Sequence, residues 1–130
     1  MDKNFLFHRL EAVNKAFFNL PETPKIKWSK GQIKKRYRKI TYGCYDIKKN
    51  EIRIHPILKN KEYPPYVIDF VIYHELLHYV DRELLKEKKS FFKFVRRAKI
   101  HNMEFKKKEF AFPYAEEAKR ELNRIIKSRN

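Results

Sequence analysis

Phe70-Val71-Ile72-Tyr73-His74-Glu75-Leu76-Leu77-His78-Tyr79-Val80-Asp81 is the stretch on which the reading of this chain turns. Ile68, Val71, Ile72, Leu76, Leu77 and Val80 surround its polar positions, and Pro64-Pro65 stands upstream. Proline suits the first turn of a helix, so the pattern predicts a helix over about residues 64–86, buried on most sides. On a helix, residues four apart lie one turn above each other, and both imidazoles of His74 and His78 can then reach one metal ion. Glu75 projects beside them, placed to take a proton from a water whose pKa zinc lowers to about 7. The five-residue pattern by itself arises by chance in many surface helices. Burial adds weight, because buried His and Glu need partners. The bland alternative is a pair of satisfied core histidines or a solvated polar stripe.

A catalytic zinc commonly takes three protein ligands and leaves one position for water, so the third donor must come from outside this helix. His101 is the candidate, with Glu104, Glu109 and Glu116 as rivals. Asp81 lies three residues past His78, where it is either an outer carboxylate for a ligand imidazole or an exposed acid paired with a neighbouring base. His8 reads as a surface histidine.

The chain has 130 residues, 42% of them apolar and 15% aromatic, enough for one sizeable core and a single domain over residues 1–130. Cys44 is the one cysteine, which excludes an internal disulfide and a Cys-rich zinc finger. There is no uncharged apolar run of about 18 residues, and Met1-Asp2-Lys3-Asn4 lacks the pattern of a secretory signal. The expectation is a soluble, cytoplasmic monomer with no membrane partner. Thirty-two Lys and Arg against 16 Asp and Glu give a net charge of +16, a field that attracts polyanions, nucleic acid above all. Lysine-rich composition is also a habit of heat-adapted proteomes, but there glutamate usually rises with it.

Taken in order, residues 1–21 predict an amphipathic helix with Leu6, Leu10, Val13, Phe17 and Leu20 inward and Pro21 as its stop. Residues 24–56 change to β-branched and aromatic strands, with turns at Ser29-Lys30-Gly31-Gln32 and Lys48-Lys49-Asn50. They predict a three-stranded antiparallel meander. Residues 25–39 hold eight bases and no acid, and Arg96, Arg97 and Lys99 make a second basic cluster within 93–99. Both are candidate nucleic-acid contacts, or simply lysine-guarded edges and solvated faces. Tyr37, Tyr42 and Tyr45 are as readily packing residues as stacking platforms. Residues 101–128 predict C-terminal helices, the first with Phe105 and Phe110 facing inward, the last with Ala115, Ala118, Leu122, Ile125 and Ile126 as its buried stripe.

His74-Glu75-Leu76-Leu77-His78, then His101-x-x-x-Phe105-Lys106, then Phe112-Pro113 and a closing helix, resembles the SprT-like zinc metallopeptidases and the related YgjP-type metal-dependent hydrolases. Tyr42-Gly43-Cys44-Tyr45-Asp46 followed by Glu51 to Leu58 is similar to the hairpin that precedes the active-site helix there. The resemblance runs from about residue 37 to the end. It implies an α+β, zincin-like single domain: N-terminal helix, three-stranded antiparallel sheet, active-site helix, C-terminal helices. It implies His74, His78 and His101 as zinc ligands, Glu75 as general base and then general acid, and a protein or peptide substrate. Asn102 stands where relatives have glycine, and a longer insert separates His78 from His101, which keeps a glutamate ligand open.

Three function classes follow. The first is a zinc-dependent metallopeptidase, acting in the resemblance's setting on DNA-associated or DNA-crosslinked proteins. The second is a basic, zinc-stabilised nucleic-acid-binding protein with little or no peptidase activity. The third, a zinc ribonuclease with three histidines in one extended motif, wants a histidine where Leu84 stands.

Overall fold

Leu6, Leu10 and Val13 recur at helical spacing, and all three are buried on the inner face of α1 (Phe5–Val13). The sequence predicts that this helix runs on to Leu20; instead the chain widens into a π-type turn, Asn14–Phe18, closed by Asn19 in the left-handed region (φ 55°). Asn14 explains the change. Its side-chain amide donates to the Leu20 carbonyl (3.1 Å) and its oxygen accepts from the Leu20 N–H (2.8 Å), which folds the chain back before Pro21. Phe17, expected inside, is left partly exposed, with its ring against Tyr73 and Phe112.

The computed structural model describes residues 4–30, 42–59, 63–86 and 103–128, with side chains described outside 81–86, 103–105 and 125–128. Within these limits the elements are α1, β1 (Lys25–Trp28), β2 (Gly43–Asp46), β3 (Glu51–Ile54), a 3-10 turn at Pro56–Lys59, α2 (Pro65–Lys86), α3 (Met103–Phe110) and α4 (Ala115–Ser128). It is a mixed helix and strand fold. Of the expected basic stretches, residues 31–41 and 87–102 lie outside the described residues.

The sheet corrects the expectation of an antiparallel meander. Its order is β1-β3-β2, with β1 parallel to β3 and β2 antiparallel to β3. Ile26 lies opposite Ile52 and Trp28 opposite Ile54 in the parallel pair. The physical reason is burial: Ile52 and Ile54 are both 0% exposed, so the strand that carries them gains most from neighbours on both sides and takes the centre. Sequence order suggests β1 beside β2, but β2 lies across β3 at the far edge. The turn from β2 to β3 is as expected, with Asn50 at φ 52° and the Lys49 N–H donating to Asp46 Oδ1 (3.2 Å).

α2 lies between the other elements; of the apolar residues expected inside, Ile68, Val71, Ile72, Leu76 and Leu77 are in the core, Val80 is half-buried against it, and Val67 and Phe70 join it. α1 is tied to it by Arg9, whose guanidinium donates to both oxygens of Asp69 (2.9 and 2.6 Å). On the other side Phe112, just past α3, packs against Phe70 and Tyr73, and Ala115 and Ala118 bring α4 close. Phe110, expected inward, is 50% exposed. Phe112 packs in the apolar slot, and among the described side chains of α3 the buried one is Glu109; Phe105, also expected inward, lies outside the described side chains.

Candidate metal centre

The faces of α2 decide what surrounds the histidines. Each residue turns the helix by about 100°, so Val71, Glu75 and Tyr79 look to one side of His74, and Phe70 and Tyr73 to the other. β2 covers the first side and α3 the second. His74 and His78 lie on the strip between, both half-buried.

On the strand side, Gly43 permits the approach. A Cβ built there would fall 2.6 Å from Val71 Cγ1 and 3.1 Å from Glu75 Oε2, so only glycine lets the strand lie this close to the helix. Glu75 is 5% exposed beneath it. Burial pushes the Glu75 carboxyl up to about 7; the neighbouring His74 pulls against this and the charge of Glu109 adds to it. Two strand residues on, Tyr45 packs edge-on against Tyr79 and donates to Asn50 Oδ1 (2.6 Å), which makes it a packing residue. Cys44 lies opposite Arg53 and so on the other face of the strand. Burial raises its thiol, with the charge of Glu75 adding to the effect.

On the helix side, Glu109 is buried against His74. Its Oε2 is hydrogen-bonded to His74 Nδ1 and its Oε1 is paired with the Lys119 ammonium. Burial alone would raise this carboxyl, but the bonds and charges of His74 and Lys119 outweigh it and hold it at about 2. The Tyr73 hydroxyl donates to the Lys108 carbonyl (2.5 Å), one residue before each member of the pair.

The far nitrogen of His74 faces His78. Their Nε2 atoms are 3.2 Å apart, with the rings nearly perpendicular at 73°. At this distance the two rings share a hydrogen bond, and the spacing is also close to the about 3.3–3.4 Å between two nitrogens bound to a tetrahedral zinc at about 2.0–2.1 Å each. Among the described residues no three His, Cys, Asp or Glu side chains form a ligand set. His101, the expected third ligand, lies outside the described residues, as do the side chains of Glu104 and Asp81. Of the other rivals, Glu116 is exposed in the first turn of α4, and Glu109 is engaged on the wrong side of the His74 ring to share an ion at Nε2.

His8 is exposed, as expected. A developing oxyanion needs a hydrogen-bond donor, and a tyrosine hydroxyl can be one. Tyr42 donates its hydroxyl to the Leu122 carbonyl (2.6 Å), and Tyr114 stacks on Tyr66, about 12 Å along α2 from His74 at 1.5 Å per residue. Neither hydroxyl is presented to the histidine pair. The sequence reading singled out Glu109 only as a rival ligand; what it missed is the Glu109 bond to His74 Nδ1, its pairing with Lys119 and the close approach at Gly43. Glu109 carried a faint signal as the one acid after three consecutive lysines, and Gly43 as one of only two glycines in the chain.

No described helix is long and apolar enough to cross a membrane. No family model matches the sequence, and no curated protein matches it at a significant level. Among solved structures, the chain is similar to the crystal structure of the metallopeptidase zymogen of Methanocaldococcus jannaschii jannalysin, at 14% identity and a TM-score of 0.44. The overlap covers 79% of this chain and 94% of that one. A likeness this loose transfers neither activity nor metal.

Proposed function

We propose that this chain is a zinc-dependent peptidase of the SprT-like kind, in which His74, His78 and His101 hold the ion and Glu75 moves the proton. The observation that carries the reading is the facing pair of Nε2 atoms at 3.2 Å, with a buried carboxyl one residue away. When bound, zinc would supply Lewis acidity, polarising a scissile carbonyl and making a water acidic near neutral pH. Glu75 accepts the proton of the attacking water and passes it to the leaving amine, the work of a carboxylate held one residue from a ligand histidine. β2 is an edge strand among the described residues and runs beside Glu75, a place where an extended peptide can add to the sheet. Glu75→Gln tests the reading: zinc stays bound and cleavage of an unfolded protein substrate is lost. Retained turnover in that variant removes Glu75 as the base.

The charge of +16 favours a second element, nucleic acid as partner. Lys25 and Lys27 are exposed along β1, and Lys59 lies over the Trp28 ring (5.0 Å). A peptidase directed to DNA-associated proteins and a zinc-stabilised nucleic-acid-binding protein both use such a surface. Binding to duplex or single-stranded DNA that falls steeply with salt supports the partner. Binding that survives zinc removal, with no peptidase activity in the zinc form, favours the second class.

A further inference from the structure

We infer that Glu109 and Lys119 form a brace that positions His74 for metal, with Lys119 fixing the Glu109 carboxylate and Glu109 fixing the imidazole. The inference rests on the metal centre proposed above and assigns two residues outside its ligand set.

An imidazole carries its two nitrogens on opposite sides of the ring, and the partner of one decides what the other can do. Glu109 accepts from Nδ1–H, which leaves the lone pair on Nε2, the atom turned towards His78. It also stops the ring from rotating about its bond to the helix. A carboxylate behind a ligand histidine has this effect in metal sites generally.

Glu109 is built for such a part. Lys106, Lys107 and Lys108 before it and Phe110 after it are exposed, while Glu109 turns in. A buried carboxylate is costly unless each oxygen is engaged. Here Oε2 takes His74 and Oε1 takes Lys119, so the carboxylate cannot swing to present another lone pair. The Tyr73–Lys108 bond clamps α2 to α3 at this level. Lys119 is itself located, its ammonium lying 4.5 Å from the centre of the Phe110 ring. Three helices thus meet at one imidazole.

The rival account is an ordinary interhelical ion pair that only holds α4 to α3. Zinc affinity separates the two, measured on the full chain by competition with a chromogenic chelator and set against thermal unfolding of the metal-free protein. Glu109→Ala is expected to bind zinc about 10–100-fold more weakly. Glu109→Gln keeps an oxygen for Nδ1–H and should recover most of that loss. Lys119→Met should bind several-fold more weakly, and Lys119→Arg, which keeps a charged donor for the Glu109 carboxylate, should recover part of that loss. Lower melting temperatures with unchanged zinc affinity overturn the inference and leave a structural tie. If Glu109→Ala does not fold, the visible absorption of the Co2+ forms decides: Lys119→Met shifts the bands and Lys119→Arg partly restores them, whereas three identical spectra overturn the brace. His78→Ala is the control on the underlying reading. Should it bind zinc as tightly as wild type, the metal centre itself fails, and the brace with it.

Discussion

Gly43 of β2 passes so close over Glu75 of α2 that a Cβ there would fall 3.1 Å from Glu75 Oε2, and the Glu75 carboxyl beneath is 5% exposed. The same closeness that raises its proton affinity makes it costly to ionise in the metal-free fold. Two consequences follow for stability and for activity.

The first is a pH dependence. The folded Glu75 carboxyl sits at about 7 against 4.5 for a free one. A group with its folded pKa raised contributes stability below the free value and loses it as pH rises through the folded value. The metal-free protein should therefore weaken between about pH 4.5 and 7. Glu75→Gln, which cannot ionise, should match wild type at the acid end of that window and exceed it above pH 7, by at most about 3 kcal/mol at 1.36 kcal/mol per unit. Glu109, held at about 2, acts in the opposite sense: its contribution is present above 4.5 and lost as pH falls towards 2. Urea unfolding of the chelator-treated protein at pH 5 and pH 8 measures this. Equal stability of the two proteins at pH 8 would contradict the burial of Glu75.

The second concerns the strand. In Gly43→Ala the new methyl overlaps Val71 and presses on Glu75, so either β2 moves away or the carboxyl does. A stability loss of about 1–3 kcal/mol is expected from the overlap. Activity should fall further than stability, at unchanged zinc content, because both the base and the strand that receives substrate have shifted. An active, fully stable Gly43→Ala protein would mean that strand and helix are not in contact.

The third ligand is open to a direct comparison. His101→Ala should lower zinc affinity by several orders of magnitude while Glu104→Ala and Glu116→Ala leave it near wild type. Loss of zinc from Glu104→Ala, with His101→Ala unaffected, would reassign the donor to the glutamate. Isothermal titration of the three variants under identical buffer decides between them.

How far the sequence could be read follows from the range of the interactions. α2, its start at Pro65 and the shared face of His74 and His78 rest on spacings of three and four residues, and were legible. So was the turn at Asn50. The pairing of β1 with β3 depends on which strand is buried on both sides, and periodicity within each strand does not say. The inward turn of Glu109 was hidden for the same reason. Locally the apolar Phe110 looks like the core residue of α3, but Phe112 outcompetes it, and the partners that draw Glu109 inward come from His74 and from Lys119 on two other helices. The short α1 shows a third limit, since a single side chain, Asn14, ended a helix whose apolar spacing continued.

The central claim is that the facing nitrogens of His74 and His78 hold a metal ion. Its most direct test is elemental analysis of purified wild type beside the His74→Ala/His78→Ala double variant, both loaded with zinc and then passed through a desalting column. The expected result is about one zinc per wild-type chain and none in the variant. Equal zinc in the two proteins, or none in either, would contradict it.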